Sequence, residues 1–323
     1  MSRASGATDP GYRALRQGAA WLDLSARGRI RASGEDRVRL LHAMSANHIE
    51  QLQPGQGCYA FFLNPQGRIL ADAVILALPE ALLIDTEPET RQSLREHLDK
   101  HIIADDVELE DVTGSTVEIG IEGPRAPAVA EALGAPLPGS PHAHADWAGR
   151  IVVRFTTTGQ DGFAIIAPSE EKERLVRDIE AAGATPASDE AARIVRIENA
   201  RPRYSEDITA RYLPHETQLL EAVHFNKGCY LGQEIVERVR SRGGVHRFLV
   251  QLEIEGQRVP PAGTKVTAGD REVGELTSAV FSPDRGQVVA LGYLRLNELP
   301  PEAELRAGDQ PARIAARRPL APG

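Results

Sequence analysis

The chain has 323 residues, more than one hydrophobic core usually organises, so two or three cooperating domains are expected. Hydrophobic residues make up 41% and charged residues 26%, and 29 Gly with 22 Pro follow no period, which excludes collagen-like, disordered and coiled-coil classes. A net charge of −9 argues against extensive direct binding of nucleic acid on electrostatic grounds, while leaving room for a local basic site.

In chain order, a polar start to about Gly18 leads into a strand and then a helix over residues 36–44. Two apolar runs, 57–63 and 68–78, flank Asn64-Pro65-Gln66-Gly67, whose turn chemistry predicts a hairpin. A strand at 82–85 and a helix over 88–100 follow. A second α/β stretch has strands at 116–121, 151–157 and 163–167. Its helices end near Gly134, cover 170–182, and begin again at Ser188 with acids in the first turn. From Arg247 onward short alternating runs separated by turn residues predict an all-β barrel or sandwich.

No run reaches the roughly 18 to 20 apolar residues of a membrane span, and no secretory signal pattern opens the chain, so a cytoplasmic protein with no membrane partner is expected. Cys58 and Cys229, the only cysteines, read as free thiols in a reducing compartment, with one bridge between them the alternative that the sequence leaves open. No metal site follows from the spacing of the nine His. His97 and His101 stand four apart on a helix, and His142 and His144 fall in a Pro- and Gly-rich loop without a site role.

Chemistry concentrates between Arg193 and Arg247, where ten Lys or Arg face seven Asp or Glu, a positive window suited to a small anionic ligand. Within it, Cys229 stands two residues from Lys227 and just ahead of a helix read over 232–239, surroundings that favour a thiolate. Gly228 and Gly232 suggest a tight turn facing a ligand.

The segment Lys227-Gly228-Cys229-Tyr230-Leu231-Gly232-Gln233-Glu234 resembles the Lys-Gly-Cys-Tyr-x-Gly-Gln-Glu signature of YgfZ-type folate-binding proteins. These are relatives of the glycine-cleavage T-protein (aminomethyltransferase) and of a mitochondrial iron–sulfur assembly factor. Weaker matches follow in the same order at residues 64–72, 158–163, 196–200, 277–278 and 290–293. The resemblance implies an α+β cloverleaf: two ferredoxin-like α/β units around a folate channel plus a C-terminal β-barrel. The corresponding boundaries are 1–243 for the folate-binding region, with units near 20–112 and 113–243 that can interleave, and 244–323 for the barrel.

The resemblance further implies tetrahydrofolate, or a one-carbon derivative, as cofactor. Glu198 would hold the pterin through two hydrogen bonds, Arg203 and Arg238 would take the folate carboxylates, and Tyr204 and Phe163 would stack on its rings. Asp72 matches an aspartate that T-protein uses beside folate N10, although Ala71 replaces the acid that usually precedes it. The implied function is an accessory role in assembly or repair of iron–sulfur proteins, with Cys229 reactive, Lys227 holding its charge, and tRNA modification affected indirectly. The alternative is folate-dependent aminomethyl transfer involving Asp72.

Overall fold

The computed structural model describes residues 9–299 and 303–316. Its first elements are α1 (Pro10–Gln17), β1 (Ala20–Asp23), β2 (Gly28–Ser33), α2 (Arg37–Met44), β3 (Gly57–Leu63), β4 (Ile69–Ala77), β5 (Leu82–Thr86), α3 (Arg91–Asp99) and β6 (Glu108–Asp111). Next come β7 (Thr116–Glu122), α4 (Ala126–Leu133), β8 (His144–Trp147), β9 (Arg150–Val153), β10 (Gly162–Pro168), α5 (Lys172–Ala181), β11 (Thr185–Pro186) and α6 (Asp189–Glu198). After α7 (Pro214–Thr217) and α8 (Gln233–Arg242) the chain is all β: β12 (Phe248–Ile254), β13 (Lys265–Ala268), β14 (Arg271–Ser282), β15 (Gln287–Leu294), β16 (Leu305–Ala307) and β17 (Gln310–Ala316).

Three sheets organise these elements. A five-stranded sheet runs β3-β4-β5-β2-β6, a six-stranded sheet runs β11-β1-β7-β10-β9-β8, and β12-β15-β14-β13-β16-β17 close into a barrel. Strand β1 leaves the first unit and joins the second sheet, antiparallel to β7 and parallel to β11. Residues 10–17, expected within the polar start, instead form α1: Asp9 caps it by accepting from the Gly11 and Tyr12 amides, and Tyr12 and Leu15 are buried. The part of that expectation at residues 1–8 lies outside the described residues.

Side-chain alternation explains how the two α/β sheets meet. On β3 and β4 the residues Ala60, Phe62, Ala71, Ala73 and Ile75 pack under α2 and α3, with Leu40, Leu41, Leu94 and Leu98. The opposite face, carrying Val74 and Leu76, meets Val153, Ala164 and Ile166 of the second sheet and Phe155 just beyond β9. That sheet's outer face, with Phe163, Ile165, Ile119 and Ile121, is covered by Val129, Leu175 and Ile179 of its own helices. The barrel packs through Val280, Val289, Leu291 and Tyr293 on α1 and α6.

Candidate functional site

A cavity of about 410 Å³ opens where the two sheets face each other and α6 closes over them. That size lies within the range of small-molecule sites. Asp72, Tyr59 and Val74 contribute from the first sheet, and Phe155, Thr156 and Thr157 from the connection between β9 and β10 of the second. Helix α6 offers Asp189, Ala192, Arg193 and Arg196, one stripe at helical spacing, and the chain after it adds Arg201, Pro202, Arg203 and Glu206. The 157–158 stretch is tied down by Glu122, which accepts from the Thr157 amide at 2.7 Å, its hydroxyl at 2.9 Å and the Thr158 amide at 3.0 Å.

Asp72 is buried at the cavity wall and accepts a hydrogen bond from the Tyr59 hydroxyl at 2.6 Å. Burial, reinforced by the negative Glu87, lifts its pKa from 3.8 to about 6, against the opposing influence of the Tyr59 bond and of Arg27 and Arg201. The Tyr59 ring stacks on His142, centroids 6.4 Å apart, and burial pushes His142 down to about 4. His142, read from the sequence as a loop residue without a role, therefore lines the candidate site beside Tyr59 as a neutral imidazole.

Of the other residues expected at a folate site, only Arg203 reaches the cavity, and it is engaged there: its guanidinium lies 2.8 Å from Glu87 and 2.8 Å from Glu89. Most of the positive window is neutralised in the same way, Arg193 by Glu206, Arg196 by Glu206 and Asp207, Arg211 by Glu275 and Arg247 by Glu216. Arg238 is exposed on α8 and does not line the cavity. Phe163 is fully buried on the helix-covered face of its sheet, so it cannot stack on a ligand. Tyr204 is buried with Phe61, Leu63 and Ile208, its hydroxyl donating to the Ile69 carbonyl at 3.2 Å. The aromatic surfaces at the cavity are Tyr59 and Phe155 instead.

Glu198 does not point at bulk water, but neither does it line the cavity. Two residues beyond Arg196 on α6, it faces about 200° away from that side chain. It accepts from the Tyr12 hydroxyl at 2.8 Å and from Ser282 at 2.6 Å, with Arg16 at 3.7 Å, and so joins α6 to α1 and the barrel. Burial and the bond to Glu198 raise the Tyr12 pKa strongly.

Cys229 is an exposed free thiol outside the cavity lining, and Cys58 is free and partly buried, its thiol pushed by burial to about 12. Lys227 does not serve Cys229. Its buried ammonium donates to the carbonyls of His42, Ser45 at 2.7 Å and Asn47 at 2.8 Å, fastening this segment to the end of α2. Burial lowers its pKa to about 8. Gly232 has φ +85 and packs on the 64–67 turn, where a Cβ would stand 2.6 Å from the Asn64 carbonyl, so it answers a packing need and not a ligand.

No helix among the described residues is long and apolar enough to cross a membrane. In sequence, residues 2–227 match the GCVT N-terminal domain family and residues 247–321 the glycine cleavage T-protein C-terminal barrel domain. An aminomethyltransferase of Nostoc sp. (strain PCC 7120) is 30% identical over 96% of this chain and 86% of its own length. An aminomethyltransferase of Rubrobacter xylanophilus is 30% identical over 94% of this chain and 83% of its own. In structure, the glycine cleavage system aminomethyltransferase T of Bartonella henselae shares the fold, with a TM-score of 0.86 at 21% identity over 96% of this chain and 88% of that one. Mixed α/β sheets, the closed six-stranded barrel and these matches together establish that the chain belongs to the glycine cleavage T-protein family.

Proposed function

We propose that this protein binds tetrahydrofolate in the cavity and uses Asp72 to transfer a one-carbon unit between an amine donor and the folate. The observation that carries this reading is the buried Asp72 carboxyl on the cavity wall, held by Tyr59 and poised near pH 6. Such a group is ionised at neutral pH, attracts an amine, and can take or return its proton without a large penalty. Tyr59 and Phe155 offer aromatic surfaces to a pterin or benzoyl ring. The test is titration of tetrahydrofolate into the protein, where absence of binding sinks the reading. Methylenetetrahydrofolate formation from an aminomethyl donor should fall at least about 100-fold in Asp72→Asn, with folate affinity retained.

The exposed thiol of Cys229 within its eight-residue signature supports a second reading. In it the protein is of the YgfZ type, a folate-binding accessory factor for iron–sulfur proteins in a reducing, cytoplasmic compartment, touching tRNA modification only through those clients. One Cys cannot hold a cluster unaided, so the thiol would act together with a partner's ligands. Cys229→Ala should then abolish complementation of a strain lacking the endogenous factor and leave folate affinity unchanged. Full complementation by the variant removes this reading.

A further inference from the structure

The cations around the cavity are engaged by carboxylates, with one exception. Arg27 meets Asp85 and Glu87, Arg203 meets Glu87 and Glu89, and Arg193 and Arg196 meet Glu206. Arg201 lines the same cavity, yet among the described residues its guanidinium has no hydrogen bond and no ion pair.

Its place in the wall is nonetheless closely determined. Ala200 has φ +52, a left-handed conformation that a residue with a Cβ holds only where its surroundings enforce it, and one that concentrates at ligand sites. Arg196 then brackets the next residue. The Arg196 carbonyl accepts from the Arg201 amide at 2.9 Å, and the Arg196 guanidinium donates to the Arg201 carbonyl at 2.7 Å while Asp207 holds it at 2.6 Å. From the other side the loop at Gly159, φ +76, comes so near that a Cβ there would lie 3.5 Å from Arg201 Cδ. A backbone fixed by Arg196 and a side-chain stem flanked by Gly159 carry an uncommitted guanidinium into the cavity, the arrangement of an anion anchor.

Arg201 lines the cavity together with Asp72, Tyr59 and His142, and its charge reaches all three. A cation and a carboxylate thus address one small volume. We propose, resting on the folate reading above, that Arg201 holds the carboxylate of the second substrate, and that this substrate is a small amine-bearing carboxylic acid whose nitrogen faces Asp72. The guanidinium fork matches a carboxylate through two parallel hydrogen bonds. An amine without a carboxylate would leave the cation desolvated and unanswered.

The test titrates N-methylglycine, and dimethylamine as the same amine without the carboxylate, into the full chain saturated with tetrahydrofolate. N-methylglycine should bind at least about 10-fold more tightly than dimethylamine, in line with a charge-assisted pair. Arg201→Ala should weaken N-methylglycine by about 10- to 100-fold and leave dimethylamine unchanged, with Arg201→Lys between the two. Arg201→Gln repeats the measurement should the alanine variant fold poorly. Equal binding of the two amines, no binding of N-methylglycine, or unchanged binding in both Arg201→Ala and Arg201→Gln overturns the proposal. So does a loss of tetrahydrofolate affinity in Arg201→Ala that vanishes with tetrahydropteroate, since it would assign the cation to the glutamyl tail. Failure of the parent protein to bind tetrahydrofolate, measured before any amine is added, refutes the folate reading instead.

Discussion

Replacing Asp72 by Asn should stabilise the protein at the same time as it removes transfer. The Asp72 carboxyl has a pKa of about 6 in the folded chain against 3.8 for the free side chain, because burial and the neighbouring Glu87 disfavour its charge more than Tyr59, Arg27 and Arg201 favour it. A folded value above the unfolded one means that the native state holds the proton more tightly. The associated stability is complete below about pH 3.8 and is lost as the pH rises through about 6. Above that window the ionised carboxylate costs about 3 kcal/mol, at about 1.4 kcal/mol for each tenfold change. Asn cannot ionise and still offers an oxygen to the Tyr59 hydroxyl. The variant should therefore exceed the parent by up to about 3 kcal/mol at about pH 8, and by almost nothing below about pH 4. Urea unfolding followed by the fluorescence of Trp21 and Trp147 across that range measures the difference. A variant that is less stable at pH 8, or a difference that does not change with pH, refutes the placement of a charged, desolvated carboxylate at this wall.

Three further substitutions probe the surroundings. Tyr59→Phe deletes the bond that favours ionised Asp72, so the acid limb of the transfer pH profile should move to higher pH; an unmoved limb would show that Asp72 does not set it. Lys227→Met leaves three carbonyls without their donor and should cost about 2 to 4 kcal/mol in urea or thermal unfolding, whereas near-neutrality would contradict the clamp seen here. Tyr12→Phe should cost about 1.5 to 3 kcal/mol by taking a hydroxyl from buried Glu198, with tetrahydrofolate affinity preserved. A tenfold loss of folate affinity at unchanged stability would instead return Glu198 to the ligand site.

What the sequence made legible was local. The hairpin at 64–67 and the Ser188 cap of α6 follow from turn chemistry and capping because their partners lie a few residues away. The barrel strands follow from their own alternation, even though β12 pairs with β15 some 34 to 46 positions on. Asp72 was singled out by the family resemblance and not by periodicity, since β4 is buried along almost its whole length. The errors have a common physical origin. Strand β10 is buried on both faces, so alternation could not say whether Phe163 turned to the helices or to the cavity. Lys227 finds its partners 180 or more positions away, at the end of α2 and just beyond it, and Glu198 finds Tyr12 186 positions away on α1, which no spacing rule reaches. The ten basic residues of the 193–247 window look alike in sequence. Only the fold separates those with a carboxylate opposite from Arg201, which has none among the described residues.

The two functional readings use different surfaces, the cavity for folate and the exposed loop for the thiol, but the structure connects them through one side chain. Asn47 donates from Nδ2 to the Tyr59 carbonyl at 2.8 Å and to the Glu221 carbonyl at 2.8 Å, and both residues line the cavity. Its own carbonyl accepts from Lys227, two residues ahead of Cys229. The segment bearing the thiol is thus hydrogen-bonded, through Asn47, to the backbone of the tyrosine that holds Asp72. Ligand-driven movement at Tyr59 would reach Lys227 through two bonds of ordinary length, and release of Lys227 would loosen the strand that positions Asp72. A thiol function that depends on folate needs such a link. A transferase needs only its rigidity, so coupling between folate occupancy and Cys229 accessibility is the property on which the readings part.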